Sequence, residues 1–410
     1  MKVLIIGGSG KIGSVAAWDL VKDSEVEAVG IVDRREDALE AKRKWLNSDK
    51  VIVHVLDISN REDTRRLMKQ YDVGVITLPD RKTSYKVVDT AIEAGLNIID
   101  ILEEYHRQPD PYEVEGLELP NGMTLEQYGE WLHRKAIENG VILLDGLGFA
   151  PGLSNITLGE GIRRMDKADS AIGRVGGIPA KEASRKHPLK YMITWAFVHV
   201  LREYMVKVKV IKNGKAVEVP AMSDRENFRF TKLGKDEELE CAITPGMPSF
   251  LFTRPQLNEF AEKTIRWPGH FEGINTLKEC GLLDLTPVEF NGMKIAPRDF
   301  LLSIIDPKLK PLEGDTDVCV MWNTVTGVKN GKKMRIDYYM WDEADTRNGI
   351  SSMGRVTGFS AAIGAILIGR GEIEKKGIVA PEDAIEGKLY PKFMNELGKR
   401  NITIDEVVSG

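Results

Sequence analysis

The 410-residue sequence contains only three cysteines, and their placement argues against two kinds of site. Cys241, Cys280 and Cys319 stand alone, without Cys-x-x-Cys spacing and without paired histidines nearby. An odd number of isolated cysteines is a poor pattern for a disulfide framework or a structural zinc site. We therefore expect three buried free thiols and no bound metal.

The sequence also lacks a basic surplus and long apolar runs. Lys and Arg number 57 against 62 Asp and Glu, and the resulting net charge of -5 argues against nucleic-acid binding. No apolar run reaches the ~20 residues of a membrane span. Met1 and Lys2 lead directly into an apolar strand, so a cleaved signal is not expected. These absences predict a cytoplasmic protein that binds neither nucleic acid nor membrane, and its length predicts more than one domain.

Several catalytic motifs are missing as well. The sequence has no Gly-x-Ser-x-Gly, no Walker A loop, no His-Glu-x-x-His and no zinc-deaminase signature. Their absence removes most hydrolases, kinases and metalloenzymes from consideration.

A glycine-rich turn between a strand and a helix stands near the start of the chain. Val3 to Ile6 form an apolar strand, and the turn after it has the pattern GxGxxG, Gly8-Ser9-Gly10-Lys11-Ile12-Gly13. Gly8 and Gly10 would let backbone amides and a helix N-terminus approach a pyrophosphate, and Gly13 would let the helix pack closely on the strand. An ordinary strand-to-helix turn is the alternative. The amphipathic helix that follows, and an acidic residue about 20 positions further on, favour dinucleotide binding.

Asp33 is that acidic residue, and it ends the apolar run Val29 to Val32. A carboxylate there accepts hydrogen bonds from the adenosine ribose and repels a 2′-phosphate, which favours NAD. Arg34 and Arg35 follow at once, and a guanidinium can bind a 2′-phosphate, so NADP is also possible. A solvated turn is the alternative for the two arginines.

Apolar strands alternate with helices through about residue 150, which predicts a doubly wound parallel sheet, a Rossmann domain. Ligands of such sheets bind at the carboxyl ends of the strands. This rule selects Asp57, Thr77-Leu78-Pro79, Asp100 to Glu104 and Asp145-Gly146, of which Asp100, Glu103, Glu104 and Asp145 are acidic. Residues 106–122 form a polar stretch between the last two strands, and we expect either a disordered surface excursion or a lid over the site.

From about residue 151 the pattern becomes that of an α+β domain. Two hairpins are predicted, one turning at Asn213-Gly214 and one at Asn330-Gly331. The chain then returns to helix, and the apolar segment Phe359–Gly369 predicts close burial, because about a dozen residues are too few to span a membrane. The predicted domains are therefore 1–150, 151–350 and 351–410.

Six segments carry a resemblance to a known family. They are the opening glycine loop and the segments at residues 148–155 (GFAPGLSN), 175–179 (VGGIP), 263–270 (KTIRWPGH), 297–299 (PRD) and 356–362 (VTGFSAA). In these segments the chain resembles the saccharopine dehydrogenase family, most closely lysine 6-dehydrogenase and the glutamate-forming saccharopine reductases. Residues 106–122 and 191–195 depart from the family pattern.

The resemblance implies a three-part architecture and an activity. It implies an N-terminal Rossmann domain, a central domain for substrate and subunit contact, C-terminal helices that return to the first domain, and a homodimer. The implied activity is NAD(P)-dependent hydride transfer at a C–N bond of an amino acid. Such transfer needs the reacting carbon held near the nicotinamide and an uncharged amine, but no nucleophile from the protein.

Three residues are candidates for substrate binding. Arg266 is the natural partner for a substrate carboxylate, and a surface salt bridge is its alternative role. Tyr191 and Asn155 are further candidates, although Asn155 also suits the cap of the helix that follows it.

Three residues are candidates for catalysis. His270 is by residue type the best general acid or base, and its alternative role is a histidine packed behind Trp267 and hydrogen-bonded for structure. Asp100 and Asp145 are the acidic candidates at the strand ends, although Asp145 equally suits a helix cap.

Together these features predict an NAD(P)-dependent oxidoreductase acting on lysine, saccharopine or a carboxylated polyamine such as carboxyspermidine. A catalytically silent regulator that binds a dinucleotide is the alternative from another class, because a fold alone does not prove an activity.

Overall fold

The chain divides into two compact units. The computed structural model describes residues 1–111, 114–195 and 197–410, apart from the side chain of residue 121. The first unit comprises Met1–Arg164, Gly246–Arg254 and Gly354–Ile402, and the second comprises Met165–Pro245, Pro255–Met353 and Thr403–Gly410. Residues 112 and 113 of the polar stretch 106–122, for which we expected a disordered surface excursion or a lid, lie outside the described residues.

The helices and strands follow one another in a regular order. Through the first 164 residues they are β1 (Lys2–Ile6), α1 (Lys11–Leu20), β2 (Ala28–Asp33), α2 (Glu36–Leu46), β3 (Val51–Val55), α3 (Arg61–Met68), β4 (Val73–Ile76), α4 (Arg81–Ala94), β5 (Asn97–Asp100), α5 (Leu125–Glu138), β6 (Ile142–Asp145) and α6 (Leu153–Arg163). Next come β7 (Lys167–Pro179), α7 (Lys181–Ser184), α8 (Phe197–Glu203), β8 (Lys207–Lys212), β9 (Lys215–Pro220), β10 (Glu226–Phe230), β11 (Glu237–Ile243), α9 (Phe250–Thr253), β12 (Glu259–Arg266) and α10 (His270–Glu279). The remainder are β13 (Val288–Phe290), β14 (Met293–Ile295), α11 (Pro297–Leu309), β15 (Asp317–Lys329), β16 (Lys332–Glu343), α12 (Ser352–Gly369), β17 (Gly377–Val379), α13 (Pro381–Ala384), α14 (Leu389–Lys399) and β18 (Asp405–Ser409).

The first unit is built on a seven-stranded parallel sheet with the strand order β17-β6-β5-β4-β1-β2-β3. Because both faces are covered, its strands are continuous apolar runs, and β1 and β4 are almost wholly buried. The register pairs Ile6 with Ile76, Ile76 with Asp100, and Asp100 with Asp145. The carboxyl ends of four strands therefore lie along one edge. The predicted doubly wound Rossmann sheet is confirmed.

The second unit is an α+β assembly around a nine-stranded mixed sheet. Its central path runs β10-β11-β12-β7-β15-β16-β18, with the β8–β9 hairpin beside β12. The strands β7 and β12 are parallel, and the other pairs are antiparallel. Both predicted hairpins are present, with Asn213 and Asn330 at φ 51° in their turns. A separate two-stranded hairpin is formed by β13 and β14.

The structure differs from the sequence predictions in three details. The first unit takes in α6 and residues 246–254, so its boundaries are not those of the predicted 1–150 domain. The helix α12 has 18 residues rather than about a dozen, so its length does not argue against a membrane span, but 89% of it is buried inside the protein. Cys241 and Cys319 are buried free thiols as expected, whereas Cys280 is exposed, so that prediction is wrong.

Candidate functional site

The predicted glycine loop joins β1 to α1 at the centre of the parallel sheet. Gly7, at φ +84°, and Gly8 both donate backbone hydrogen bonds to the Val32 carbonyl at 3.0 Å, which ties the loop to the end of β2. Gly10 precedes the first residue of α1, Lys11. The first amides of a helix have no carbonyl partner within it, so this end of α1 is suited to bind a phosphate.

The glycines of the loop are needed for close packing. A Cβ atom at Gly13 would lie 2.6 Å from both the Gly7 carbonyl oxygen and the Thr77 hydroxyl, which agrees with the predicted close approach of helix and strand. A Cβ atom at Gly8 would lie 2.7 Å from the Ile31 side chain. A larger residue at position 8 would therefore clash with β2. The sequence had suggested a different reason for this glycine, namely access for a pyrophosphate.

Asp33 stands at the end of β2, beside the loop. Its carboxylate accepts hydrogen bonds from the Ser9 hydroxyl and, at 3.1 Å, from the Arg35 backbone amide. Burial alone would raise the pKa of Asp33, but these hydrogen bonds and the Arg35 charge lower it below its usual value. Asp33 is therefore an anion at neutral pH. The Arg35 guanidinium is 3.7 Å from Asp33 and mostly exposed.

The other predicted cofactor residues lie along the same edge of the sheet. Ile12 is in the first turn of α1, and Arg34 is exposed directly after β2. Leu78 and Pro79 follow β4, which is tied to the loop by the Thr77 hydroxyl donating to the Ile6 carbonyl at 2.8 Å. Asp57 lies just beyond β3, where hydrogen bonds from Ser59 lower the pKa of its carboxyl. The structure thus brings the predicted set together.

Asp100 and Asp145 meet in a buried cluster at the ends of β5 and β6, joined by His106. The His106 Nδ1 atom is 2.8 Å from Asp145 Oδ1, and the His106 backbone amide donates to Asp145 Oδ2 at 2.7 Å. On the other side of the ring, Nε2 is 3.0 Å from the Ser84 hydroxyl, which donates to Asp100. His106 and Asp100 are fully buried, and Asp145 is 2% exposed.

The charges in this cluster hold a proton on the imidazole. Burial alone would lower the pKa of His106, but the carboxylates of Asp145, Asp100 and Glu104 raise it to about 9. Burial raises the pKa of Glu104 to about 7, and this side chain accepts a hydrogen bond of 2.7 Å from Tyr85. Burial also raises the pKa of Asp100. At neutral pH the His106 side chain is therefore a protonated imidazolium that lies between carboxylates and is buried away from solvent.

Sequence reasoning missed His106, because it assigned the residue to the polar stretch 106–122. That stretch begins in the core: His106 is fully buried, and Val114 is 1% exposed and packs in the same apolar core as Tyr85. Glu103, also selected from the sequence, contributes its carbonyl, which accepts from Arg81 at 3.0 Å. One signal was available, since His106 is the one histidine that closely follows a predicted strand of the parallel sheet.

The second unit brings together three other predicted residues around Tyr204. Arg266 Nε donates to the Tyr204 hydroxyl at 3.0 Å, and His270 Nε2 is 3.1 Å from that hydroxyl. The Arg266 guanidinium lies 5.5 Å from the centre of the Tyr191 ring. Arg266 is 4% exposed, so the alternative of a surface salt bridge is wrong.

The surroundings of His270 favour its structural interpretation. Its Nδ1 atom is 2.9 Å from the Leu189 carbonyl, so both ring nitrogens have hydrogen-bond partners. Burial and the nearby positive charge of Arg266 lower the pKa of His270 to about 3. At physiological pH the ring is therefore not an imidazolium that could give up its extra proton, and with so low a pKa it is a weak base, which argues against the predicted role as general acid or base.

Asn155 is committed to other contacts within the first unit. Its Oδ1 accepts from the Gly152 backbone amide at 2.9 Å, which caps the start of α6, and its Nδ2 donates to Ser249 at 3.1 Å and to Glu382 at 3.0 Å. Both amide protons and the carbonyl are therefore used. The capping interpretation is confirmed, and in this arrangement the side chain offers no donor to a substrate.

Among the described residues, no group of three or more His, Cys, Asp or Glu side chains is arranged to hold a metal ion.

Comparisons with known proteins cover the whole chain. Residues 3–144 match the family model described as the saccharopine dehydrogenase NADP binding domain, and residues 148–402 match the saccharopine dehydrogenase C-terminal domain. Carboxyaminopropylagmatine dehydrogenase of Synechocystis sp. is 22% identical over 100% of this chain and 98% of its own length. The NADP(+), L-glutamate-forming saccharopine dehydrogenase of Schizosaccharomyces pombe is 22% identical over 68% of this chain and 76% of its own.

A solved structure shows the same fold along its full length. The apo saccharopine dehydrogenase (L-Glu forming) from Saccharomyces cerevisiae superimposes with a TM-score of 0.78, covering 100% of both chains at 19% identity. The resemblance inferred from the six segments is thereby confirmed. The chain belongs to the saccharopine dehydrogenase family.

Proposed function

We propose that this protein is an NAD(P)-dependent dehydrogenase that transfers a hydride at the C–N bond of an amine carrying a carboxylate. The observation that carries the proposal is the glycine loop at the centre of the parallel sheet, with anionic Asp33 at its side. When bound, the nicotinamide supplies or accepts the hydride. The loop is compatible with the cofactor. The close contacts around Gly13 hold α1 against the loop, so the N-terminus of α1 lies at the sheet edge where we expect a pyrophosphate to bind.

The relatives narrow the choice of substrate. The two dehydrogenases described above are named for carboxyaminopropylagmatine and for saccharopine. Amino acids and carboxylated polyamines both present an amine and a carboxylate. We therefore propose a substrate of this class, with lysine, saccharopine and carboxyspermidine as the first candidates.

The buried cluster of Asp100, Asp145 and His106 contributes to the site by holding nearby backbone in place. Asp100 accepts from the Leu102 amide through its side chain, and its carbonyl accepts from the Gly146 and Leu147 amides at 2.8 Å. Asp145 holds the His106 backbone. The cluster thereby fixes the loops after β5 and β6 at the sheet edge where the substrate is expected. We assign His106, Asp100 and Asp145 as positioning residues.

We propose Arg266 and Tyr191 as the carboxylate-binding pair in the second unit. Two of the five guanidinium N–H groups are already used, since Nε donates to Tyr204 and Nη1 donates to the Ile265 carbonyl at 2.9 Å. Contact with a carboxylate therefore falls to Nη2 and the second N–H of Nη1, and it requires an opening around the buried side chain.

One assay distinguishes the proposed dehydrogenase from a catalytically silent regulator that only binds the dinucleotide. Absorbance at ~340 nm is followed with NAD or NADP and a panel of lysine, saccharopine, carboxyspermidine and carboxyaminopropylagmatine. Turnover of at least one of these amines supports the proposal. Coenzyme binding by calorimetry without turnover of any amine favours the regulator, and absence of coenzyme binding contradicts both functions.

A further inference from the structure

The strand β12 of the second unit carries a row of polar side chains on one face. Glu262, Thr264 and Arg266 alternate along the strand with Lys263 and Ile265. Successive side chains of a strand point to opposite faces, so the first three residues share a face. On the other face, Lys263 forms an ion pair of 2.7 Å and Ile265 packs in an apolar core. At about 3.3 Å per residue, the backbone positions of Glu262 and Arg266 are on the order of 13 Å apart.

Glu262 is a buried acid whose carboxyl group lacks a partner. The residue is 6% exposed, and its Oε2 atom has no hydrogen-bond partner in the part of the chain that the structure describes. Burial, with a further contribution from the charge of Glu203, raises the pKa of Glu262 well above its usual value. No cationic side chain of the described residues offsets this shift. An unpaired buried polar group costs stability, so its presence calls for an explanation.

Two buried hydroxyl groups near Arg266 also lack partners. The hydroxyls of Tyr191 and Thr194 have no hydrogen-bond partner among the described residues. The Arg266 guanidinium lies 5.5 Å from the centre of the Tyr191 ring. The parallel register of β7 and β12 places Gly177 beside Arg266 on the same face, and a Cβ atom on Gly177 would lie 3.7 Å from the Thr194 hydroxyl. Unpartnered polar groups are therefore found at both ends of the row, and together they indicate a ligand.

The row is suited to an extended molecule with unlike charges at its two ends. Arg266 offers Nη2 and the second N–H of Nη1 to a carboxylate. Glu262 offers its carboxyl group to a cation. Thr264 lies between them and is 8% exposed, whereas Ile265 on the other face is 0% exposed, so the row borders solvent or a water-filled space.

We propose that Arg266 binds the carboxylate of the substrate and that Glu262 binds a cationic group at the other end, so that the substrate is a carboxylated amine ending in an ammonium or guanidinium. This inference rests on the proposed function and narrows its substrate class. Carboxyspermidine meets the requirement, since it has a carboxylate at one end and an ammonium at the other. Each end of saccharopine carries a carboxylate, so neither end is a net cation.

Binding of such a substrate moves a proton. The raised pKa keeps a proton on Glu262 in the free protein, and a cation beside the carboxyl group favours its ionised form. The O–H bond of Glu262 breaks, the proton goes to solvent, and the carboxylate pairs with the ligand cation. Substrate binding near neutral pH is therefore coupled to the release of about one proton.

Steady-state kinetics with NAD or NADP compare carboxyspermidine with saccharopine. We expect kcat/KM to be about 100-fold or more higher for carboxyspermidine. Glu262→Gln should lower kcat/KM for carboxyspermidine about 30-fold or more, mainly through KM, because the partner of a buried charge is lost. Glu218→Gln is the matched control, because Glu218 is an exposed carboxylate on β9 of the same unit.

Calorimetry counts the released proton. Carboxyspermidine is titrated into the protein with reduced coenzyme bound, so that no turnover occurs, in two buffers of different ionisation enthalpy. The wild type should release about one proton more than Glu262→Gln. Glu262→Met should lose carboxyspermidine binding without a lower melting temperature, because it removes an unpaired buried polar group.

The outcomes separate this inference from the proposed function. Turnover of saccharopine as good as that of carboxyspermidine, an unchanged KM in Glu262→Gln, or equal proton release by both proteins would overturn the inference and leave the dehydrogenase standing. A lower melting temperature of Glu262→Met with unchanged carboxyspermidine binding would make Glu262 a structural residue. Coenzyme binding without turnover of any amine contradicts the proposed function instead, and the calorimetry then still decides whether Glu262 binds the cation.

Discussion

Replacing His106 by glutamine should remove a pH-dependent part of the stability of this protein. His106 is fully buried between Asp145 and Asp100, and their charges raise its pKa to about 9. Glutamine keeps a hydrogen-bond donor but carries no charge. Removing one partner from a buried ion pair leaves the other uncompensated, and typically costs about 3–5 kcal/mol.

The pKa of His106 gives an independent magnitude and its sign. A folded-state pKa of about 9, against about 6.5 for an unfolded histidine, corresponds to roughly 3 kcal/mol at about 1.36 kcal/mol per tenfold change. Because the folded-state pKa is the higher of the two, the stabilisation is complete below about pH 6.5 and is lost as the pH rises through about 9.

Urea unfolding of the wild type and His106→Gln across about pH 6 to 10 measures this effect. The difference in free energy of unfolding should be near 3 kcal/mol at the acid end and should shrink towards the alkaline end. His133→Gln is the control, because burial lowers the pKa of His133 and its contribution stays constant above about pH 7. A difference that does not change with pH would refute the charged cluster, as would nitrogen NMR showing neutral His106 near pH 7.

Four further outcomes are expected. Asp33→Ser should narrow the preference for NAD over NADP by about tenfold in calorimetry, and a wild type that prefers NADP would contradict the role given to this carboxylate. Gly13→Ala should weaken coenzyme binding and lower the melting temperature, because its Cβ atom would lie 2.6 Å from the Gly7 carbonyl, whereas Gly398→Ala has open space and should do neither. Arg266→Ala should raise KM more than it lowers kcat in steady-state kinetics, and a change in kcat alone would exclude carboxylate binding. Amine oxidation should rise steeply towards about pH 9 to 10, because a free amine has a reference pKa near 10.4; a flat profile with rate-limiting chemistry would count against this reaction.

The architecture could be predicted from the sequence wherever the signal is local. The apolar strand predicted at Val3 to Ile6 lies within β1 (Lys2–Ile6), and the β15–β16 hairpin follows from alternation on either side of Asn330-Gly331. The short strands β13, β14 and β18 were missed. Strands of the parallel sheet such as β4 are equally short but are continuous apolar runs, whereas these three include charged residues and are too short to show a periodicity.

The candidate site was predicted less completely because its contacts are distant in sequence. His106 pairs with a carboxylate 39 positions away, and the Asn155 amide binds Ser249 and Glu382, which are 94 and 227 positions away. Residue type and spacing do not reveal such partners. They led us to treat His270 as a general acid or base, although burial and a neighbouring guanidinium lower its pKa and keep its ring neutral.

The path of the chain through the two units has a consequence for synthesis in the cell. Residues 1–164 of the first unit are translated first, but α12 and β17, which belong to the same unit, are translated only after most of the second unit. Gly358 of α12 lies so close to α1 that a Cβ atom there would be 3.1 Å from the Ala16 amide nitrogen, so this helix completes the packing around the glycine loop. While a ribosome is still translating the central residues, the first unit lacks the buried helix α12 and the edge strand β17. Coenzyme binding should therefore begin only after α12 and β17 have been translated, and until then the first unit exposes apolar surface that these elements later cover.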